Sequence, residues 1–284
     1  HEALVAFRRD LHRHPELGFE EERTARVVAD RLAAAGIELR RGIARTGLLA
    51  RVRAGGEVVG PPRRTVLLRA DMDALPLQEE TGAPYASTIP GAMHACGHDG
   101  HTAILVETAI LAHRRAASLG GDLAFVFQPA EEGLGGAAKM IEEGILEETG
   151  AEAVFGLHLW SPLPVGKVAV TAGPFMAAAD EFEIAITGKG GHAAFPHTAI
   201  DAVVVGSYVV AALQTIVSRH VDPLQAAVVT VGSFHAGSGH NIIAESAILR
   251  GTIRTFDATL RDGLVRHLRE VSETTCAALG AGCE

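Results

Sequence analysis

The sequence predicts an α/β domain with a mixed sheet flanked by helices, followed by a smaller α+β sandwich. Short apolar runs alternate with helical stretches as far as about residue 160, the pattern that winds a sheet covered on both faces. After Gly173-Pro174 the character changes, and the remaining elements read β-α-β-β-α, which suits helices on one face of an antiparallel sheet. Two domains are therefore expected, residues 1–174 and 175–284.

The first stretch, His1 to His14, is charged and amphipathic and lacks the apolar core and cleavage site of a signal peptide. Glu20 to Ala35 places Ala25, Val28, Leu32 and Ala35 on one face and stops at Gly36, so it reads as a helix that a strand should follow. Gly47 to Val52 and Thr65 to Ala70 read as strands joined by a loop containing Gly55-Gly56 and Pro61-Pro62. Asp122 to Phe127 and Ala153 to Leu159 have the same look, with helices at His101 to Arg115 and Gly136 to Glu143. In the second part, Glu181 to Thr187, Ala226 to Gly232 and Ala247 to Arg254 are strands, and helices cover about Ala199 to Ser218 and Thr259 to Leu279. The most apolar run, Ala202 to Val217, is broken by Gly206, Ser207 and Gln214 and falls short of the ~20 residues of a spanning helix, so a buried helix is expected.

A chain of 284 residues with 48% hydrophobic content can bury the cores of two domains. The 34 acidic residues against 25 basic ones give a charge of -9, which argues against nucleic acid or an anionic membrane as partner and leaves a small molecule. The three cysteines, Cys96, Cys276 and Cys283, are too few for a disulfide framework, and a reducing cytosol is the expected setting.

Met93-His94-Ala95-Cys96-Gly97-His98-Asp99-Gly100-His101 concentrates imidazoles, a thiol and a carboxylate between glycines, and these groups ligate divalent metal. Gly97 permits the sharp turn that lets Cys96 and His98 face one point. No C-x-x-C pair accompanies them, which argues against a structural zinc site; a cysteine nucleophile would need a partner His and an oxyanion hole. Glu131-Glu132 follows an apolar run and precedes glycine, so the two carboxylates are expected at a strand end, pointing in different directions. One would bind metal while the other faces water as a general base. His158 interrupts an apolar run and is either a ligand or a buried core histidine. Asp71 and Asp73 end another strand and are placed to orient a ligand imidazole or a loop. His12, His14, His113, His220 and His235 read as helix-face or surface residues. Gly188-Lys189-Gly190-Gly191-His192 is either a hairpin turn or a donor cradle for a developing oxyanion, and Asn241 and Arg254 are suited to a substrate carboxylate.

Together, Met93 to Asp99, Gln128-Pro129-Ala130-Glu131-Glu132-Gly133, Gly156-Leu157-His158, Gly191-His192-Ala193-Ala194 and Gly251-Thr252-Ile253-Arg254 resemble the metal-dependent N-acyl-amino-acid amidohydrolases. That family includes hippurate hydrolase, the auxin-conjugate hydrolases and N-acetyldiaminopimelate deacetylase, related to aminoacylase and carboxypeptidases. The resemblance implies a zinc exopeptidase-like catalytic domain holding two divalent metal ions (Zn, Mn, Co or Ni). It implies Cys96, His98, Glu132 and His158 as metal ligands and Glu131 as catalytic base. It also implies that the second domain is an inserted lid and dimerisation domain, with His192 reaching the neighbouring subunit's site. Members of the family carry a further His ligand in a C-terminal segment with no counterpart before Glu284, so the catalytic domain is expected to lack that part. Asp71-Met72-Asp73 stands where the aminoacylase branch has a His-x-Asp ligand motif, and Cys96 is expected to compensate.

The function this implies is hydrolysis of the amide bond of N-acyl amino acids by a cytoplasmic homodimer. The alternatives are a dipeptidase or carboxypeptidase with the same site, and a truncated, non-catalytic metal-binding dimer module.

Overall fold

Successive side chains of a strand point to opposite faces of its sheet, and in this protein each face meets its own apolar layer. In the computed structural model, which describes residues 1–55 and 63–284, the chain divides into two units, His1–Lys167 and Val168–Glu284. Of the expected first loop, Gly56, Pro61 and Pro62 lie outside the described residues.

The first unit runs α1 (Glu2–Arg13), α2 (Glu22–Ala34), β1 (Glu38–Ile43), β2 (Gly47–Val52), β3 (Thr65–Asp71), α3 (His98–Arg114), β4 (Asp122–Gln128), α4 (Gly136–Glu142), α5 (Ile145–Thr149) and β5 (Ala151–Gly156). Its strands lie in the order β1-β2-β4-β3-β5. Strands β3, β4 and β5 are parallel, while β1 and β2 add antiparallel, so the sheet is mixed as expected. Leu48, Ala50 and Val52 of β2 and Phe125 and Phe127 of β4 pack with Leu11, Val28, Leu32, Val106 and Ile110 from α1, α2 and α3. The intervening Leu49, Ala124 and Val126 face the other way, against Met140 of α4 and Ile145 of α5. Helices therefore cover both faces.

In register, Asp71 of β3 stands beside Gln128 of β4, so the loops carrying Asp73 and Glu131-Glu132 leave the sheet on one edge, where sites of parallel sheets collect. Strand β5 stops at Gly156. His158 is therefore two residues beyond a strand, in a loop, and not inside an apolar strand. Val154 and Phe155 on this edge strand are exposed.

The second unit contains β6 (Ala178–Thr187), β7 (Gly191–His192), α6 (Ala202–Thr215), β8 (Ala227–Ala236), β9 (Ile242–Ile243), β10 (Ser246–Thr255), α7 (Ala258–Ala278) and β11 (Gly282–Cys283). An antiparallel sheet of order β11-β6-β10-β8 is accompanied by the two-stranded pair β7-β9. Ile184, Ile186, Leu249 and Ile253 pack under Val205, Val209 and Leu213 of α6 and Leu264 and Cys276 of α7. Each helix starts on an aspartate cap: Asp201 accepts from the Val203 N–H at 2.9 Å and Asp257 from the Leu260 N–H at 2.7 Å. Helix α6 is buried on one face only, because the sheet can cover only one side of it; Val203, Val204 and Tyr208 are exposed. With the turn that continues it to His220, it is long and apolar enough to cross a membrane by length and composition. Its buried face closes the core of this unit, which accounts for the apolar composition on that side.

Phe125 is fully buried between β4 and the helices. Phe125→Ala is expected to cost about 3–5 kcal/mol of stability, read from the denaturant midpoint. A loss below about 0.5 kcal/mol would mean that the layer is not packed as described.

Candidate metal centre

Strand β3 ends by burying two carboxylates, Asp71 and Asp73, each 1% exposed. Buried charge is tolerated only when it is paired and hydrogen-bonded, and the neighbouring residues supply the partners. Asp71 Oδ1 accepts from His101 Nδ1 at 2.6 Å, its Oδ2 from Arg69 at 2.6 Å, and its main-chain carbonyl from the Thr102 hydroxyl at 2.7 Å. Asp73 Oδ1 accepts from His98 Nδ1 at 3.2 Å and its Oδ2 from the Glu132 N–H at 3.0 Å. Burial opposes ionisation of Asp71, but the His101 hydrogen bond and the charges of His98 and Arg69 outweigh it and bring its pKa down to about 2. His101 Nε2 accepts the Leu159 N–H at 2.8 Å, which ties the loop after β5 to helix α3.

Gly97, with φ of 90°, turns the chain so that Cys96 precedes α3 and His98 opens it. Cys96 Sγ lies 3.3 Å from His158 Nε2, and His158 Nδ1 donates to the Leu159 carbonyl at 2.6 Å. With its Nδ1 on Asp73, His98 turns Nε2 toward Asp71 Oδ2 at 3.7 Å, Glu132 Oε1 at 3.8 Å and Glu131 Oε2 at 3.9 Å. That nitrogen is buried without a hydrogen-bond partner. Three groups each bring their donor atoms within 4.8 Å of one another: Cys96, His98 and His158; His98, Glu131 and Glu132; and Asp71, His98 and His101. His98 is common to all three.

This donor set fits divalent cations. Thiolate, imidazole and carboxylate are ligands for Zn, Mn, Co or Ni, and the orphaned His98 Nε2 among carboxylates is the atom that a cation would satisfy. Burial disfavours a charge on His98, but its hydrogen bond to Asp73, the nearby Cys96 and the two aspartates hold its proton and push its pKa up to about 11. A cation held at this point by His98 would take the place of that proton.

The sequence led to an expectation that Glu131 and Glu132 would diverge. Instead their carboxylates converge on His98 Nε2, because the chain reverses after β4 with Ala130 at φ of 50°. Burial and the adjacent Glu132 raise the pKa of Glu131. Gly136, two turns on, donates its N–H to the Ala130 carbonyl at 3.0 Å, and a Cβ there would collide with the Pro129 carbonyl oxygen.

His12, expected on a surface or helix face, is buried. It bonds Asp99 through Nδ1 at 2.9 Å and Glu79 through Nε2 at 3.3 Å, and Arg8 joins Asp99 at 2.6 Å. Helix α1 is thereby fastened to the first turn of α3. The buried Asp99 needs these partners, and His12 comes from 87 positions away, a pairing that no local pattern announces. His94 is also buried, and burial lowers its pKa to about 4. His101 lies inside the motif the sequence singled out, but its bonds to Asp71 and to the Leu159 N–H emerge only from the fold.

In the second unit, His192 is exposed on β7 opposite Ile242, and its Nδ1 accepts the Ala194 N–H at 3.1 Å. Asn241, just before β9, accepts the Ala193 N–H through its main-chain carbonyl at 3.1 Å and so lies beside the end of β7 that carries His192. Arg254 stands apart from them on β10 of the larger sheet, exposed.

The model of a family described as peptidase family M20/M25/M40 matches residues 67–275. The N-acyl-L-amino acid amidohydrolase of Geobacillus stearothermophilus is 46% identical over 283 residues, covering 99% of this chain and 74% of that protein. The N-acetylcysteine deacetylase of Bacillus subtilis strain 168 is 44% identical over 285 residues, 100% of this chain and 73% of that protein. Among solved structures, a Bacillus subtilis protein described as a dinuclear metal binding peptidase of the M20 family superposes with a TM-score of 0.79 at 39% identity, covering 100% of this chain and 72% of that one.

The pKa of Asp71, about 2 against an ordinary 3.8, makes its carboxylate a stabilising group. Its contribution, about 2 kcal/mol, is complete above pH 3.8 and disappears as the pH falls through about 2. In chelator-treated protein, Asp71→Asn is expected to flatten the fall in stability over that range, measured by urea unfolding. An unchanged acid limb would show that Asp71 is not held ionised by its neighbours.

Proposed function

The chain belongs to the M20/M25/M40 peptidase family, and from that premise we propose a metal-dependent amidohydrolase that cleaves the amide bond of N-acyl amino acids. One observation carries the reading: the carboxylates of Glu131 and Glu132 meet at His98, which also groups with Cys96 and His158. The activities for which the amidohydrolase and deacetylase relatives are named support the substrate class.

We assign Cys96, His98, Glu132 and His158 to two divalent ions and Glu131 to proton transfer. When bound, two such ions supply Lewis-acid polarisation of the scissile carbonyl and acidify water. Glu131 suits a base: its side chain is 41% exposed and so reaches solvent, and its raised pKa brings it closer to the working pH. Its carboxylate takes a proton from the attacking water and returns it to the amine nitrogen as the C–N bond breaks. Asp73 holds the His98 ring by Nδ1 and so aims Nε2, while Asp71 does the same for His101. On the substrate side we assign the His192 imidazole to the developing oxyanion, and the Asn241 amide and Arg254 guanidinium to the substrate carboxylate.

We further propose a homodimer formed through the second unit, in a reducing cytosol that keeps Cys96 a thiol. Strand β8 is an edge of its sheet, and α6 exposes Val203, Val204 and Tyr208, the kind of surface that a second copy buries. Light scattering should give twice the chain mass for the protein and the single chain mass for the double variant Val204→Glu, Tyr208→Glu; a monomeric parent refutes the dimer.

The reaction is tested by release of free amino acid from N-acetyl and N-benzoyl amino acids, with metal measured by elemental mass spectrometry. Glu131→Gln is expected to lower kcat about 10²- to 10⁴-fold with metal retained, and Cys96→Ala to reduce bound metal. Full activity in Glu131→Gln removes the assigned base, and unchanged metal in Cys96→Ala removes that ligand. Cleavage of free dipeptides without cleavage of N-acyl amino acids would replace the amidase reading with a peptidase.

A further inference from the structure

Four non-glycine residues adopt positive φ among the described residues: Phe19 at 66°, Ala44 at 46°, Arg45 at 75° and Ala130 at 50°. They come from three stretches of the sequence, yet all four belong to segments gathered around one side chain, Glu21. Phe19 lies two positions before it. Ala44 and Arg45 form the turn between β1 and β2, which ends at Thr46, and the Thr46 hydroxyl donates to Glu21 Oε2 at 2.5 Å. The Ala130 N–H donates to Glu21 Oε1 at 2.8 Å. Phe19, Ala44 and Ala130 also share one apolar cluster.

Glu21 is fully buried, and burial raises its pKa. A carboxyl group in that position is costly unless it is used. Its use is visible in the two residues that follow Ala130. Ala130 directly precedes Glu131, and Asp73 holds the Glu132 N–H, so the main chain of the turn is gripped on both sides of Glu131 by buried carboxylates. Left-handed φ is disfavoured for alanine and persists where the surroundings enforce it. If Ala130 relaxed to negative φ, the peptide leading to Glu131 would rotate and its carboxylate would leave His98.

We infer that Glu21 is a positioning residue for the general base: by accepting the Ala130 N–H it holds that residue left-handed and so aims Glu131. This rests on the assignment of Glu131 made above. Gln at position 21 keeps an oxygen for the Ala130 N–H and can donate its amide to the Thr46 hydroxyl; Ala keeps neither.

The test compares Glu21→Ala, Glu21→Gln and the double variant Glu21→Ala, Ala130→Gly in the metal-loaded protein. Glycine tolerates positive φ, so it should partly replace the clamp and also guards against a Glu21→Ala variant that fails to fold. Expected in Glu21→Ala is a fall in kcat of about 10- to 100-fold, with KM within about threefold and metal content unchanged. Glu21→Gln and the double variant should each recover most of that loss. Wild-type kcat in Glu21→Ala overturns the inference, as does loss of metal in step with activity, or absence of recovery in both rescuing variants. A readout independent of turnover separates this from the amidase reading: a crystal structure of Glu21→Ala should show Ala130 at negative φ. Ala130 still left-handed there refutes the clamp whatever the protein hydrolyses, whereas a relaxed Ala130 in a chain inactive on N-acyl amino acids refutes the substrate assignment and leaves the clamp standing.

Discussion

Two buried carboxylates at the end of β3 set the terms for the first unit. Asp71 and Asp73 cannot be ionised inside the protein without partners, and the groups that answer them are drawn from three places: Arg69 from the strand itself, His98, His101 and Thr102 from α3, and the Glu132 N–H from the turn after β4. Satisfying the aspartates thus also fixes the helix and the turn relative to the sheet. Of the two ring nitrogens left over after these bonds, His98 Nε2 meets the carboxylates of Glu131 and Glu132 and His101 Nε2 takes the Leu159 N–H.

The arrangement is a chain of second partners. Asp73 aims His98, Asp71 aims His101, His101 receives the Leu159 N–H and so places the loop carrying His158, and Cys96 reaches His158 across that loop. A ligand held this way loses little freedom when an ion arrives, which favours binding and keeps the geometry needed for catalysis. The α1 contact through His12 and Arg8 to Asp99 extends the same logic outward, so the first turn of α3 is held from the far side as well.

Much of this was legible in the residues. The alternation of Leu48 to Val52 and of Ala124 to Phe127 between two apolar layers follows from period two, and it foretold a sheet covered on both faces. The cluster of Cys96, His98, Glu131, Glu132 and His158 was legible because its members sit in unusual local company: thiol and imidazoles between glycines, paired carboxylates after an apolar run. What stayed hidden is long-range pairing. His12 has the spacing of any helix-face residue, and only the buried Asp99 explains its burial. Glu21 looks like one more acid at a helix start, and nothing near it in sequence points to Ala130. The convergence of Glu131 and Glu132 also depended on a backbone angle at an alanine, a residue that carries no turn signal.

All the residues that gather around His98 in the first unit, from Asp71 to His158, precede Lys167, where that unit ends. The described strands and helices that hold them, from α1 to β5, come from the same stretch. Translation therefore delivers this cluster before any residue of the second unit has been joined to the chain. Domains fold in order as they leave the ribosome, so the nascent first unit can gather its thiol, imidazoles and carboxylates while much of the second unit is still to be synthesised.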